Sequence, residues 1–146
     1  MKKRLAVVAV LAMGAAGWST QAYTQGVERY GALVEDNAGG YRAFTSSDKA
    51  TPRSASYDAL KQCDRDSCEV VLIFGGKGCG SFHSAGPEAA FGWAIADTLE
   101  GARQESLRLC REELLGDEVC SNTVSVCNTQ GSGKVFKVVA LDDGFE

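Results

Sequence analysis

The densest chemistry in the 146-residue chain lies between Cys63 and His83, in the run CDRDSCEVVLIFGGKGCGSFH. Cys79 precedes the only histidine, His83, by four residues. A thiol beside an imidazole can be a nucleophile, because the imidazole lowers the thiol pKa. That chemistry needs a reduced thiol. An even cysteine count in an oxidising compartment reads instead as disulfides. Zinc fares no better: a structural site wants four ligands, and one histidine cannot make up for oxidised cysteines. The expectation is therefore no metal, no cofactor and no catalytic residue, with His83 as a loop histidine facing solvent.

Gly75-Gly76-Lys77-Gly78-Cys79-Gly80 looks like a phosphate cradle, but the spacing is wrong. A P-loop separates its glycines by four residues and opens a helix with Lys and Ser or Thr. The dinucleotide pattern also fails, since Ser81 or His83 stands where the last glycine belongs. The run reads as a tight loop that lets Cys79 reach a partner. No Gly-x-Ser-x-Gly elbow occurs. Asp64-Arg65-Asp66 and Asp142-Asp143 lack the ligand ladder of a calcium loop. Paired carboxylates for glycosidic chemistry are a spatial property that nineteen acidic residues leave open.

The elements that position these groups follow from pattern. Lys2, Lys3 and Arg4, the apolar stretch Leu5 to Ala16 and Thr20-Gln21-Ala22 have the layout of a secretory signal peptide over residues 1–22. Its removal leaves residues 23–146 as one exported domain, periplasmic or extracellular, and takes the formal charge from −4 to −7 because the leader holds three basic and no acidic residues. Such a surface disfavours nucleic acid and anionic lipid, favours solubility and leaves room for a cationic partner. The six cysteines all follow the leader and imply three disulfides, with fifteen pairings open in principle.

Tyr30 to Glu35 and Tyr41 to Thr45 flank Asp36-Asn37-Ala38-Gly39-Gly40 and read as a β-hairpin. Thr45 to Ala50 is polar and reads as loop. Thr51-Pro52 opens a short helix ending at Cys63, with Thr51 as cap and Pro52 at the first helical position. Val70 to Phe74 is a short apolar run in a strand pattern from Glu69 to Phe74, expected to be a central strand buried on both faces. Downstream, Phe91, Trp93 and Ile95 alternate with small residues, and Asp97 or Thr98 caps a helix running to about Leu115. Its buried stripe is Ala102, Ser106, Leu107, Cys110 and Leu114. Thr123 to Cys127 and Val135 to Leu141 complete the strands.

Phe44, Ala55, Leu60 and Cys63 align without a gap with Phe91, Ala102, Leu107 and Cys110, which reads as a duplicated unit over about 30–79 and 80–128. The repeat predicts Cys63–Cys68 and Cys110–Cys120 as local ties. Cys79 and Cys127 then remain, to join the two halves. The fold expected is α+β, an antiparallel or mixed sheet of six or seven strands with two helices, from pseudo-duplicated β-β-α-β units.

Tyr30-Gly31-Ala32, Ala59-Leu60…Cys63, Cys68-Glu69-Val70-Val71, Gly78-Cys79-Gly80, Phe91-Gly92-Trp93, Leu107…Cys110, Cys120 and Val124-Ser125-Val126-Cys127 occur in this order. Together they resemble the small exported bacterial proteins grouped as domain of unknown function 4189, over roughly Tyr30 to Asn128. The second half departs from the tighter pattern, with Cys110–Cys120 spaced more widely than Cys63–Cys68. The resemblance implies an exported, disulfide-linked α/β domain and carries over no catalytic residues.

The function expected is a non-enzymatic protein-binding module, an inhibitor or immunity protein against a cationic envelope hydrolase or toxin. Its contact surface is expected at Lys77, Phe82 and His83, with Phe82 as apolar anchor or core residue. A secreted hydrolase and a host-directed factor are the alternatives.

Overall fold

The computed structural model describes residues 26–38, 42–86 and 89–139. The expected signal peptide of residues 1–22, the expected turn at Gly39-Gly40 with Tyr41, Pro87 and the acidic pair Asp142-Asp143 lie outside them.

Seven strands and two helices are described: β1 (Tyr30–Asp36), β2 (Arg42–Lys49), α1 (Pro52–Cys63), β3 (Cys68–Gly75), β4 (Gly78–Ser84), β5 (Phe91–Ala96), α2 (Leu99–Glu112), β6 (Asn122–Asn128) and β7 (Phe136–Lys137). The α+β expectation holds, with one refinement. The strands form two antiparallel sheets, ordered β2-β1-β3-β7 and β5-β4-β6. In each, the first strand of a β-β-α-β unit is central and the other two flank it. The unit boundary falls at Gly76-Lys77, so Cys79 belongs to the second unit.

Local sequence explains the helices. Thr51 Oγ1 accepts the Ser54 N–H at 3.1 Å, and Ser54 Oγ accepts the Thr51 N–H at 3.2 Å, a reciprocal cap ahead of Pro52. Asp64 ends α1 in the left-handed region, with φ 52°. Thr98 caps α2 through the Gly101 N–H, Glu100 sits near the positive end and Arg111 near the negative end. The helix stops at Glu112 rather than continuing to Leu115.

α1 covers one face of the first sheet, packing Ala55, Ala59 and Cys63 on Ala32, Val34 and Ile73. The opposite face meets the second sheet through Leu33, Leu72, Phe74 and Phe82, flanked by Trp93, Ile95, Val124 and Val126. α2 lies on the outer face of the second sheet, where Ala102, Ser106 and Cys110 are buried. The layers are therefore α1, sheet, sheet, α2. Gly92 of β5 lies directly under α2: a Cβ there would collide with the Ser106 carbonyl and the Cys110 amide.

The Cys63–Cys68, Cys79–Cys127 and Cys110–Cys120 bridges are present. The first and last tie a helix end to the following segment, as expected. Cys79–Cys127 does not join the halves. Its residues are direct cross-strand partners of β4 and β6, with Cα atoms 3.9 Å apart. The units are held together by the inter-sheet core and by hydrogen bonds around Asn128.

Two local expectations are corrected and a third holds. Thr45 to Ala50 is not loop, because β2 continues to Lys49 by pairing with β1 as far as Tyr30. Gly78, Cys79 and Gly80 are strand, leaving Gly76-Lys77 as the connection, with Gly76 at φ 82°. β3 lies inside its sheet as expected, between β1 and β7 and covered on both faces, although β7 flanks it only at Phe74 and Gly75.

Candidate functional site

β4 passes through the middle of the second sheet, so its side chains alternate between two covered faces. Phe82 and Ser84 point toward the inter-sheet seam, whereas Ser81 and His83 point under α2. Every residue of this strand is buried. Phe82 is 2% and His83 7% exposed, so of the expected contact surface only Lys77 reaches solvent. The reason is a connection shorter than the glycines suggest: the chain re-enters a sheet at Gly78.

His83 is not a loop residue, and it has a built partner. Its Nδ1 and Ser106 Oγ share a hydrogen bond of 2.7 Å. Ser106 Oγ donates to Ser81 Oγ at 3.0 Å, Ser81 and Ser125 hydroxyls are linked at 2.9 Å, and Arg103 Nε donates to Ser125 Oγ at 3.2 Å. Burial, helped by the Arg103 and Arg111 charges, holds the imidazole pKa below its ordinary value, so the ring is neutral at pH 7. A serine–histidine pair is the core of nucleophilic hydrolysis. Here Ser106 is 0% exposed, beneath α2 against β4, and no substrate atom can approach it. The chain of hydroxyls satisfies polar groups at the helix–sheet interface.

The open feature is on the other face of β4, at the inter-sheet seam. Glu35 and Glu69 are direct cross-strand partners on β1 and β3. Both line a cavity of about 260 Å³ with Val70, Val71, Phe82, Phe91 and Trp93. An adjoining lobe of about 240 Å³ shares Glu35, Glu69, Phe82 and Phe91 and adds Asn37, Ser84, Gly86 and Ala89. A β-bulge puts the two carboxylates on one face. Leu33 pairs with Leu72 but Val34 with Val70, so Val71 is the extra residue and the alternation of β3 reverses there. Strict alternation from Phe74 would have turned Glu69 toward α1.

The groove is acidic and aromatic. Burial first, and the Glu69 charge second, raise the Glu35 carboxyl pKa above its ordinary value. Glu69 accepts one hydrogen bond, from Asn37 Nδ2 at 3.0 Å. Phe91 is 49% exposed and stacks on Phe82 with ring centroids 6.3 Å apart. Lys137 Nζ lies 3.7 Å from the centroid of the Trp93 ring, a cation–π contact. Ser84 is 2% exposed, and its hydroxyl has no hydrogen-bond partner among the described residues.

Of the groove residues, sequence reasoning named Phe82 and missed Glu35, Glu69, Ser84 and Phe91. The available signal was Glu35, which follows Leu33 at the inward parity of its strand and so places a carboxylate where the apolar pattern asks for another core residue. No comparable signal marks Glu69, because the bulge is not written in the residue types. Among the described residues no group of three or more His, Cys, Asp or Glu side chains is arranged to hold a metal ion, and no helix is long and apolar enough to cross a membrane.

Neither the curated proteins nor the solved structures provide a match. The family model described as Domain of unknown function (DUF4189) matches residues 30–127, which span both β-β-α-β units and all six cysteines, and the chain belongs to that family.

Proposed function

We propose that this chain is exported by a removable leader at residues 1–22 and works without catalysis, binding a cationic protein such as an envelope hydrolase or toxin and acting as its inhibitor or immunity protein. The observation that carries this reading is the acidic groove of Glu35 and Glu69, set in a frame stapled by three disulfides. A rigid frame lowers the ordering cost of association, and an acidic rim speeds encounter with a basic partner. The sealed position of Ser106 supports a non-catalytic role for His83. The common strand order of the two units supports an origin by duplication, with Ala59 and Ser106 at equivalent places on the two helices.

The test is to offer the purified mature protein to a panel of basic envelope hydrolases, in binding and in activity, at two salt concentrations. Saturating inhibition that weakens as salt rises is expected. Failure to bind any of them at low salt overturns the reading.

A second reading, a secreted hydrolase, draws on the same carboxylates. Glu35 stays protonated to higher pH opposite Glu69, and one carboxyl kept as acid beside an ionised one is the division that glycosidic cleavage uses. Turnover of peptidoglycan that disappears in Glu35→Gln would replace the inhibitor by an enzyme. A host-directed factor differs from the first reading only in where its partner resides, and capture from envelope or host fractions separates the two.

A further inference from the structure

We propose that the open end of the inter-sheet seam is a receptor for one cationic side chain, a lysine ammonium or arginine guanidinium presented by a protein partner, held between Glu35, Glu69 and the Phe91 ring. This deepens the reading of a cationic partner and rests on it.

Three independent features converge. Like charges directly opposite each other on a sheet destabilise it, and Glu35 and Glu69 occupy such a pair. Neither forms an ion pair with a basic side chain among the described residues, although the protein makes such pairs elsewhere, as between Arg65 and Asp36 at 3.0 Å. A cation placed between the two carboxylates converts that repulsion into attraction. The second feature is the apolar wall. Phe91 presents half its surface to the groove mouth, and an aromatic face attracts a cation while covering its alkyl stem. The neighbouring Trp93 already carries Lys137 in this way.

The third is Ser84. Its hydroxyl is buried in the wall of the same groove with no partner among the described residues. A buried hydroxyl left unpaired costs stability, and an incoming N–H donor would satisfy it as an acceptor. Two ionised carboxylates are acceptors only, and the Ser84 hydroxyl adds its lone pairs as a further acceptor, which an ammonium or guanidinium complements with donors. Lobes of about 260 and 240 Å³ suit a single extended side chain rather than a helix or strand.

The test uses the full mature protein with four probes: N-acetyl-arginine methylamide, N-acetyl-lysine methylamide, N-acetyl-leucine methylamide and a chitin oligosaccharide. Backbone amide shifts are followed by NMR. The two basic probes are expected to move Glu35, Glu69, Ser84 and Phe91, with the leucine probe silent. Glu69→Gln, an exposed change that keeps the fold, should weaken the basic probes about 5- to 10-fold, a loss of order 1 kcal/mol, while raising the melting temperature by relieving repulsion. Ser84→Ala should weaken binding less. Equal response to the leucine probe, preference for the oligosaccharide, or binding unaffected by Glu69→Gln overturns the proposal. If a basic hydrolase binds wild type and Glu69→Gln equally, the groove fails as the contact but the partner reading stands. If the probes bind as expected and no basic protein does, the groove stands and the partner reading fails.

Discussion

Asp48, at the end of β2, and Asn128, at the end of β6, hold each other's strands in place. The Asn128 side-chain oxygen accepts the Asp48 N–H at 2.9 Å, and the Asp48 carboxylate accepts the N–H groups of Thr129 at 2.9 Å and Gln130 at 2.8 Å. Asn128 also donates to the carbonyls of Arg29 at 3.1 Å and Gly76 at 3.0 Å. The two residues therefore link both units at the point where the chain crosses between the sheets. Asp48 adopts φ 55°, a left-handed conformation that Asp tolerates better than most residues.

Removing this clamp should loosen the join between sheets. Asp48→Ala loses the accepting carboxylate and takes on the left-handed strain, for about 2–3 kcal/mol in chemical denaturation. Asp48→Asn, which keeps one acceptor oxygen and the backbone tolerance, should lose less. Burial works against the charge at Asp48, but hydrogen bonds from Gln130 and Thr129 outweigh it and leave the carboxyl pKa below normal. Its contribution is therefore complete above the ordinary carboxylate pKa of about 3.9 and lost as pH falls through the lowered value. Equal melting of wild type and Asp48→Ala at neutral pH would show the clamp to be inert.

His83 supplies a separate pH window. Its pKa is lowered in the folded chain by burial and by Arg103 and Arg111, so the unfolded chain takes up the proton first. Stability is full above the unfolded value of about 6.5 and declines as pH falls below it, until the folded value is passed. Melting temperatures of wild type should drop between pH 7 and pH 5, whereas His83→Gln should be less stable at pH 7 and flatter across that interval.

The three disulfides should contribute unequally. Cys79–Cys127 closes a separation of 48 residues and Cys63–Cys68 one of 5, worth about 4 and about 2 kcal/mol on chain-entropy grounds. Replacing each pair by serine and measuring denaturation midpoints should give that order. Because Cys79 and Cys127 lie within one sheet, their loss should expose β4 and β6 amides to hydrogen exchange before those of β1 and β3. Early exchange in both sheets alike would contradict the placement.

Gly92→Ala should be more damaging than its size suggests. The added methyl meets the α2 backbone, and overpacking of this kind costs about 1–3 kcal/mol or more. Loss of helical signal together with weakened protection of the His83–Ser106 pair is the expected result; an unchanged melting temperature would place α2 further from β5.

The sequence by itself determined the elements whose causes are local. Thr51-Pro52 and Thr98 start helices because a side-chain oxygen and a restrained φ act within one turn, and Phe91, Trp93 and Ile95 declare a strand because its two faces differ. The cysteine pairs were legible too, since the aligned Cys63 and Cys110 are each followed closely by another cysteine. Only the tertiary structure decided what those pairs and strands enclose. Cys79–Cys127 staples one sheet rather than two halves because β4 begins at Gly78 and pairs at once with β6, a long-range choice with no local sign. His83 left the surface for the same reason, and Phe82 took the core place that its sequence left open. Glu69 reached the groove through the bulge at Val71, one residue of register that reverses the face of every residue beyond it. Pairing register belongs to two strands together, and no single stretch of sequence contains it.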